Sequence, residues 1–486
     1  MIREHRFADT ALAAALLILV LGSARATTIT IDNVNEPSVG FNDATTATPV
    51  GGNPGTTVGQ QRLNVFQRAA EQWAARLDSP VEIKVQASME ALACDASSAV
   101  LGSAGPISAA SFNVEPAGAR PHRAYVMAEL NSLYGADADP NNDDIQAQFN
   151  VSVNGDPNCL GGAQWWYGLD PEVPVPAGMI PLLPVVFHEL GHGLGFVSLV
   201  GDNGTYVTGD TIPVWADYLY DTSTSKLWAD MTNAERAASS TNDPHLVWTG
   251  PRTNKQAAAL LGDSHALVVE MLASPPAPYE VGTASFGPNV PANGIAGSVV
   301  VFDDGSAPGS DGCSAAVNNL TGKIALIDRG TCAFTEKVKN AQNAGAIAAI
   351  IANNEADPLG LPLPLGGTDA SIIIPAYSIT QSLGNSIKGA MITGVEATLG
   401  YANIGVDGGC VRMFAPNPMV SGSSVSHFHA DAFPDLLMEP ALNKSIFDHV
   451  DLTLPLFADI DWRTNNIEDF IYLDGFDPNA CDHVQP

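Results

Sequence analysis

The chain has 486 residues, 45% of them apolar and only 15% charged, which is long enough for two or three packed units and too apolar for a disordered polymer. Acidic residues outnumber basic ones 52 to 21, for a formal net charge of -31. Such a balance repels phosphate backbones and anionic lipid alike and argues against nucleic acid as a partner.

At the N-terminus, Arg3 and Arg6 precede the apolar run ALAAALLILVLG, and ARA at residues 24–26 has the small-x-small pattern of a processing site. The run is shorter than the roughly 20 residues that span a bilayer. Residues 1–26 therefore read as an export signal cleaved after Ala26, which makes the expected location extracellular or periplasmic. In such an oxidising compartment six cysteines can pair. Sequence alone does not decide among the 15 connectivities that six cysteines allow; position along the chain favours Cys94 with Cys159 ahead of the central motif, Cys313 with Cys332, and Cys410 with Cys481.

Residues 57–77 place Leu63, Phe66, Ala70, Trp73 and Leu77 at steps of three and four, the stripe of an amphipathic helix, and Asp78, Ser79 and Pro80 end it. VEIKVQA then alternates as a strand does, and so does DIQAQFNV with Ile145, Ala147, Phe149 and Val151 on one face. Between them, DADPNNDD spaces Asp137, Asp139, Asn141 and Asp143 like a calcium loop but lacks the glycine and final glutamate of an EF-hand. A solvated acidic loop is the expectation there, ahead of a Ca2+ site.

The stretch FHELGHGLGF follows. On a helix, His188 and His192 lie one turn apart on one face, the spacing at which two imidazoles hold one Zn2+ ion, and Glu189 is placed to act as a general base. Gly193 and Gly195 let the chain turn away soon after. A catalytic zinc uses three protein ligands and leaves a fourth position open, so a third ligand is needed. Candidates after the motif include His245, His265, Asp210, Asp217 and Glu235, and further on His427 and His429.

Continuing past Gly195, the motif resembles that of the metzincin zinc peptidases, HExxHxxGxxH, although Ser198 occupies the third histidine position. The segment SSVSHFHADAFPDLLMEP is similar to the later third-ligand region of the leishmanolysin group, in which a long insertion precedes the histidine. That resemblance implies His427 as the third metal ligand, with Phe428 in place of the usual tryptophan, His429 as the nearest rival, and Met438 as the methionine of the turn beneath the metal. It also implies peptide hydrolysis, with substrate extended beside the DIQAQFNV strand.

The intervening GKIALIDRGTCAFTEKVKNAQNAGAIAAIIANN reads strand, helix, strand, with Phe334, Val338 and Ala341 on one helical face. With ASFGP before it and IIIPAYSIT after it, this segment resembles a protease-associated (PA) domain across residues 279–400. A PA domain implies a module that docks substrate or governs its access.

The expectation is thus an α+β fold: a zincin-like, metzincin-type catalytic domain in two parts, residues 27–278 and 401–466, interrupted by an α/β PA domain and followed by a tail at 467–486. The activity expected is that of a secreted zinc metalloendopeptidase acting on proteins or peptides, with metal ligands His188, His192 and His427 and catalytic Glu189. The competing reading is a secreted binding or adhesion protein on an inactive zincin scaffold. Oligomeric state leaves no mark on the sequence.

Overall fold

The computed structural model describes residues 27–270, 272, 278–356, 361–441, 446, 447, 449–465 and 481. The expected export signal (1–26) and most of the expected tail (467–486) lie outside these residues.

The first half is a four-stranded sheet covered by two helices. Strands Ile29–Asn33, Ile83–Glu90 and Ile145–Asn150 run parallel, and Gly102–Pro106 pairs antiparallel with Ile145–Asn150 at the outer edge. Both alternating sequence runs are strands, and Ile145, Ala147 and Phe149 are fully buried. The long helix Val58–Ala74 starts at Thr57, whose side chain accepts from the Gln60 N–H. Its buried stripe is Val65, Phe66, Ala69, Ala70 and Trp73, while Leu63 is only partly covered.

The second helix, Leu182–Gly193, carries the HExxH motif. Trp73 fastens it to the long helix, donating its indole N–H to the Phe187 carbonyl at 2.9 Å with the rings 4.7 Å apart. Gly193 sets its distance from the sheet, because a Cβ there would lie 2.4 Å from Ile145 Cγ2. Gly195, at φ +122°, turns the chain away in a conformation that side-chain-bearing residues rarely adopt.

The two parts that flank the insertion rejoin in one sheet. Strand Leu246–Trp248, before the insertion, pairs antiparallel with Cys410–Arg412, after it. The C-terminal helix Thr453–Asp459 packs Phe457 against Trp73 and sends Asp459 onto the start of helix Pro251–Leu260. There the Asp459 carboxylate accepts from Arg252 N–H, Thr253 N–H and the Thr253 hydroxyl, satisfying donors that a helix N-terminus leaves free.

The insertion has its own eight-stranded sheet, in the order Pro278–Glu280, Ser264–Val269, Glu396–Ala402, Ile295–Val301, Ile324–Asp328, Ala348–Ala352, Ala376–Ile379, Gly282–Thr283. Helix Phe334–Asn343 buries Val338 and Ala341 against it. The sheet starts at Ser264, upstream of the boundary expected at 279, because Ser264–Val269 pairs along its whole length with Glu396–Ala402. The chain therefore enters and leaves the insertion through two adjacent antiparallel strands of its sheet.

All three disulfides join the expected partners: Cys94–Cys159, Cys313–Cys332 and Cys410–Cys481. Among the described residues, no helix is long and apolar enough to cross a membrane.

Candidate metal centre

His188, His192 and His427 come together although 235 residues separate the last two in sequence. Their Nε2 atoms form a small triangle with sides of 3.1 Å (His188 to His192), 3.1 Å (His192 to His427) and 3.3 Å (His188 to His427). Each ring is fixed from behind by a backbone carbonyl that accepts from Nδ1–H: Leu437 O for His188 at 2.6 Å, Phe196 O for His192 at 2.7 Å, and Ser423 O for His427 at 2.8 Å. With the proton on Nδ1, each Nε2 presents a lone pair, and three lone pairs converge on one point. This donor set fits a single cation. Tetrahedral coordination at Zn–N distances near 2.0–2.1 Å spaces ligand nitrogens by about 3.3 Å.

Burial keeps the imidazoles neutral. It pulls the His188 pKa down to about 4 and that of His192 to about 3, the latter helped by the neighbouring His188, and it holds His427 well below the usual range. Neutral imidazole is the form that ligates metal.

The segment carrying His427 has little regular structure, so hydrogen bonds place it. Phe414 N–H donates to His427 O, His429 N–H to Arg412 O, and Phe428 N–H to Met438 O. Ser198, which stands where the metzincin pattern has its third histidine, instead donates its N–H to the Ser426 hydroxyl at 3.1 Å. That position thus helps to seat the distant histidine. Phe428 is fully buried and meets Phe196 edge-on, with ring centroids 5.0 Å apart. Met438 is also fully buried, with its sulfur beneath Gly191 of the motif helix.

Glu189, the residue after His188, meets the edge strand. Its Oε2 accepts from the N–H of Ala104, on the edge strand, at 2.9 Å. Burial raises its pKa to about 7, and that hydrogen bond opposes the shift. A carboxyl group that titrates near neutrality is suited to proton transfer in both directions.

None of the other candidates joins the trio. His429 lies in a buried ionic cluster, 2.9 Å from Arg412 and 3.1 Å from Asp243. His245 contacts Thr222 and Asp407, and His265 contacts Tyr377 within the inserted sheet. Asp217 pairs with Arg123 at 2.8 Å, Glu235 caps its own helix with Thr232, and Asp210 is exposed.

The strand expected to pair with substrate needs correction. DIQAQFNV has both edges occupied, by Ile83–Glu90 on one side and Gly102–Pro106 on the other, so it has no backbone groups free for a ligand. The strand beside Glu189 with an unpaired edge is Gly102–Pro106. Its composition, GSAGP, has none of the alternation that marks a strand in sequence. The ring-holding carbonyls of Phe196, Ser423 and Leu437 belong to the backbone and leave no side-chain signature.

Residues 293–387 match the PA domain family. Among individual proteins, the chain is similar to signal peptide peptidase-like 2 of Arabidopsis thaliana, 37% identical over 78 residues, which is 16% of this chain and 14% of that protein. It is also similar to the probable lipoprotein aminopeptidase LpqL of Mycobacterium tuberculosis, 31% identical over 112 residues, 23% of this chain and 20% of that protein. A third is leucine aminopeptidase 2 of Trichophyton equinum, 34% identical over 117 residues, 24% of this chain and 22% of that protein. The chain thus spans less than a quarter of the length of these curated relatives. Of solved structures, the zinc aminopeptidase BSAP from Bacillus subtilis shares 23% identity over 31% of this chain and 36% of that chain, with a TM-score of 0.22. Proteins with such different names share only a domain-sized stretch with this chain, and what the chain contains at residues 293–387 is accordingly a PA domain.

Proposed function

We propose that this protein is an exported zinc-dependent peptidase of metzincin type, similar to the leishmanolysin group, in which a PA domain governs access to the site. The observation that carries the reading is the triangle of three neutral, carbonyl-anchored imidazoles with Glu189 beside it. The residues that would hold the metal are His188, His192 and His427. When bound there, a zinc ion supplies Lewis acidity, lowering the pKa of water and polarising a carbonyl.

The chain's own groups do the rest. Glu189, next to His188 on the motif helix, takes a proton from the attacking water and passes it to the leaving amine. The free edge of Gly102–Pro106 aligns an extended peptide by backbone pairing. In an antiparallel ladder, alternate residues face outward, and the Ala104 N–H is one such group. Since Glu189 occupies it in the free protein, substrate pairing at this position displaces the carboxylate from the strand. Export accords with the three disulfides, which persist in oxidising compartments.

The test is Glu189→Ala. It should retain stoichiometric zinc, because Glu189 is not a ligand, and lose hydrolysis of casein. Near-native hydrolysis by that variant would remove the mechanism. The names of LpqL and leucine aminopeptidase 2 favour a second reading, removal of single residues from a free N-terminus. N-acetylated peptides separate the two: internal cleavage of a blocked peptide supports the endopeptidase, and cleavage confined to unblocked peptides supports the aminopeptidase.

A further inference from the structure

The ring of His188 is held by the carbonyl of Leu437, in the turn beneath the site, so whatever holds Leu437 also sets the direction of His188. The other side of the same residue is held by a carboxylate. Leu437 N–H donates to Asp451 Oδ2 at 2.5 Å, and Asp451 Oδ1 accepts from the Thr453 N–H at 3.2 Å and the Thr453 hydroxyl at 3.1 Å. Both oxygens of Asp451 therefore act as acceptors, one toward the turn and one toward the start of the C-terminal helix. Asp451 adopts φ +30°, a conformation uncommon for a residue with a side chain, and such strained residues gather at functional sites. The helix behind it is anchored in turn, since Asp459 at its far end is tied to Thr253.

We propose that Asp451 is a positioning residue for the metal centre: it clamps Leu437 so that the Leu437 carbonyl meets His188 Nδ1–H and His188 Nε2 faces its two partners. Without the clamp the turn can rotate and the carbonyl can leave the ring. His188 is then free to take the other tautomer or to swing out of the triangle. Loss of partners that orient metal-bound histidines typically lowers metal affinity about 10–100-fold. This inference rests on the zinc reading of the three histidines.

The experiment is zinc affinity of the full mature chain, measured by competition with a chelator, together with the visible spectrum of the cobalt-loaded protein. Asp451→Gly suits the positive φ and removes both acceptor oxygens, so it reports even if Asp451→Ala does not fold. Both variants are expected to bind zinc about 10-fold more weakly and to shift the cobalt spectrum. Asp451→Asn keeps one acceptor oxygen for the Leu437 N–H and should lie nearer the wild type. Thr453→Ala removes a contact of Asp451 on the helix side only, and it should keep wild-type zinc affinity even if its Tm falls. Wild-type affinity and spectrum in Asp451→Gly, or an equal loss of affinity in Thr453→Ala, would overturn the proposal, the latter by showing a general structural effect. If the wild-type chain itself binds no zinc, it is the metal reading that fails.

Discussion

The distance between the motif helix and the sheet is set by one absent side chain, and Gly193→Ala tests how much the site depends on it. Alanine is favoured over glycine within a helix by about 1 kcal/mol, so local propensity predicts a stabilising change. Packing predicts the opposite. The new Cβ would sit 2.4 Å from Cγ2 of Ile145 and 3.0 Å from its Cδ1 and Cγ1, whereas carbon atoms rest about 3.5–4.0 Å apart. Ile145 cannot withdraw, because it is fully buried in a strand paired on both sides. The helix must therefore move off the sheet by roughly 1 Å, an overpacking that costs about 1–3 kcal/mol. The net expectation is destabilisation of about 1 kcal/mol by urea denaturation. A larger effect should appear in zinc affinity, since His192 is the adjacent residue and metal–ligand distances tolerate only about 0.2 Å. An affinity loss of about 10-fold or more is expected, measured by chelator competition. Gly191→Ala is the control: its Cβ meets the Met438 sulfur at 2.8 Å, at the flexible end of a side chain that can yield. Wild-type zinc affinity in Gly193→Ala, or a greater loss in Gly191→Ala, would refute the reasoning.

His427→Ala should lose zinc at chelator concentrations that the wild type withstands, while His429→Ala keeps the metal and loses stability by breaking the cluster around Asp243; equal zinc retention in both would remove His427 from the site. Glu439 is buried beside Asp435, Asp451 and Asp431, and burial above all raises its pKa to about 10 despite the Leu436 N–H bond. A folded pKa above the unfolded value contributes stability at low pH that is lost as pH rises toward the folded pKa. Glu439→Gln should therefore melt close to the wild type near about pH 4 and increasingly above it as pH rises toward about 9, and a constant gap across that range would contradict the assignment. Replacing Cys313 and Cys332 together by serine opens a loop of sequence separation 19 and should destabilise the PA domain by about 2–4 kcal/mol. Zinc affinity should be unchanged, as read by calorimetry and chelator competition; loss of zinc would show that the inserted domain supports the catalytic unit directly.

Several parts of this arrangement are legible in sequence because they depend on local periodicity. The stripe through Phe66 and Trp73 and the four-residue spacing of His188 and His192 follow from helical geometry, and the alternating 144–151 run follows from the pleat of a strand. The PA segment is legible because its strands are continuous apolar runs with a helix between them. His427 is different: nothing local distinguishes it from His429, and only the resemblance of its flanking residues to a known pattern separates the two. The structural difference lies in what each ring meets, Ser423 O for one and Arg412 with Asp243 for the other. The edge strand Gly102–Pro106 leaves no periodic trace, since its glycines and proline are those of a loop, and its pairing comes from Ile145–Asn150. Asp451 likewise reads as one acidic residue among 52 until the fold sets it against Leu437.

The paired strands that begin and end the insertion bear on how the protein can be taken apart and how it can move. Ser264 faces Ala402 and His265 faces Tyr401, so the chain departs and returns at neighbouring points. A short hairpin grafted across that gap would close the flanking frame without stretching it, which makes this strand pair the natural seam for excising the domain or exchanging it for another. The seam is stiff, because Ser264–Val269 is also paired with Pro278–Glu280 and Glu396–Ala402 with Ile295–Val301, so the strands that carry the chain in and out are interior members of the inserted sheet.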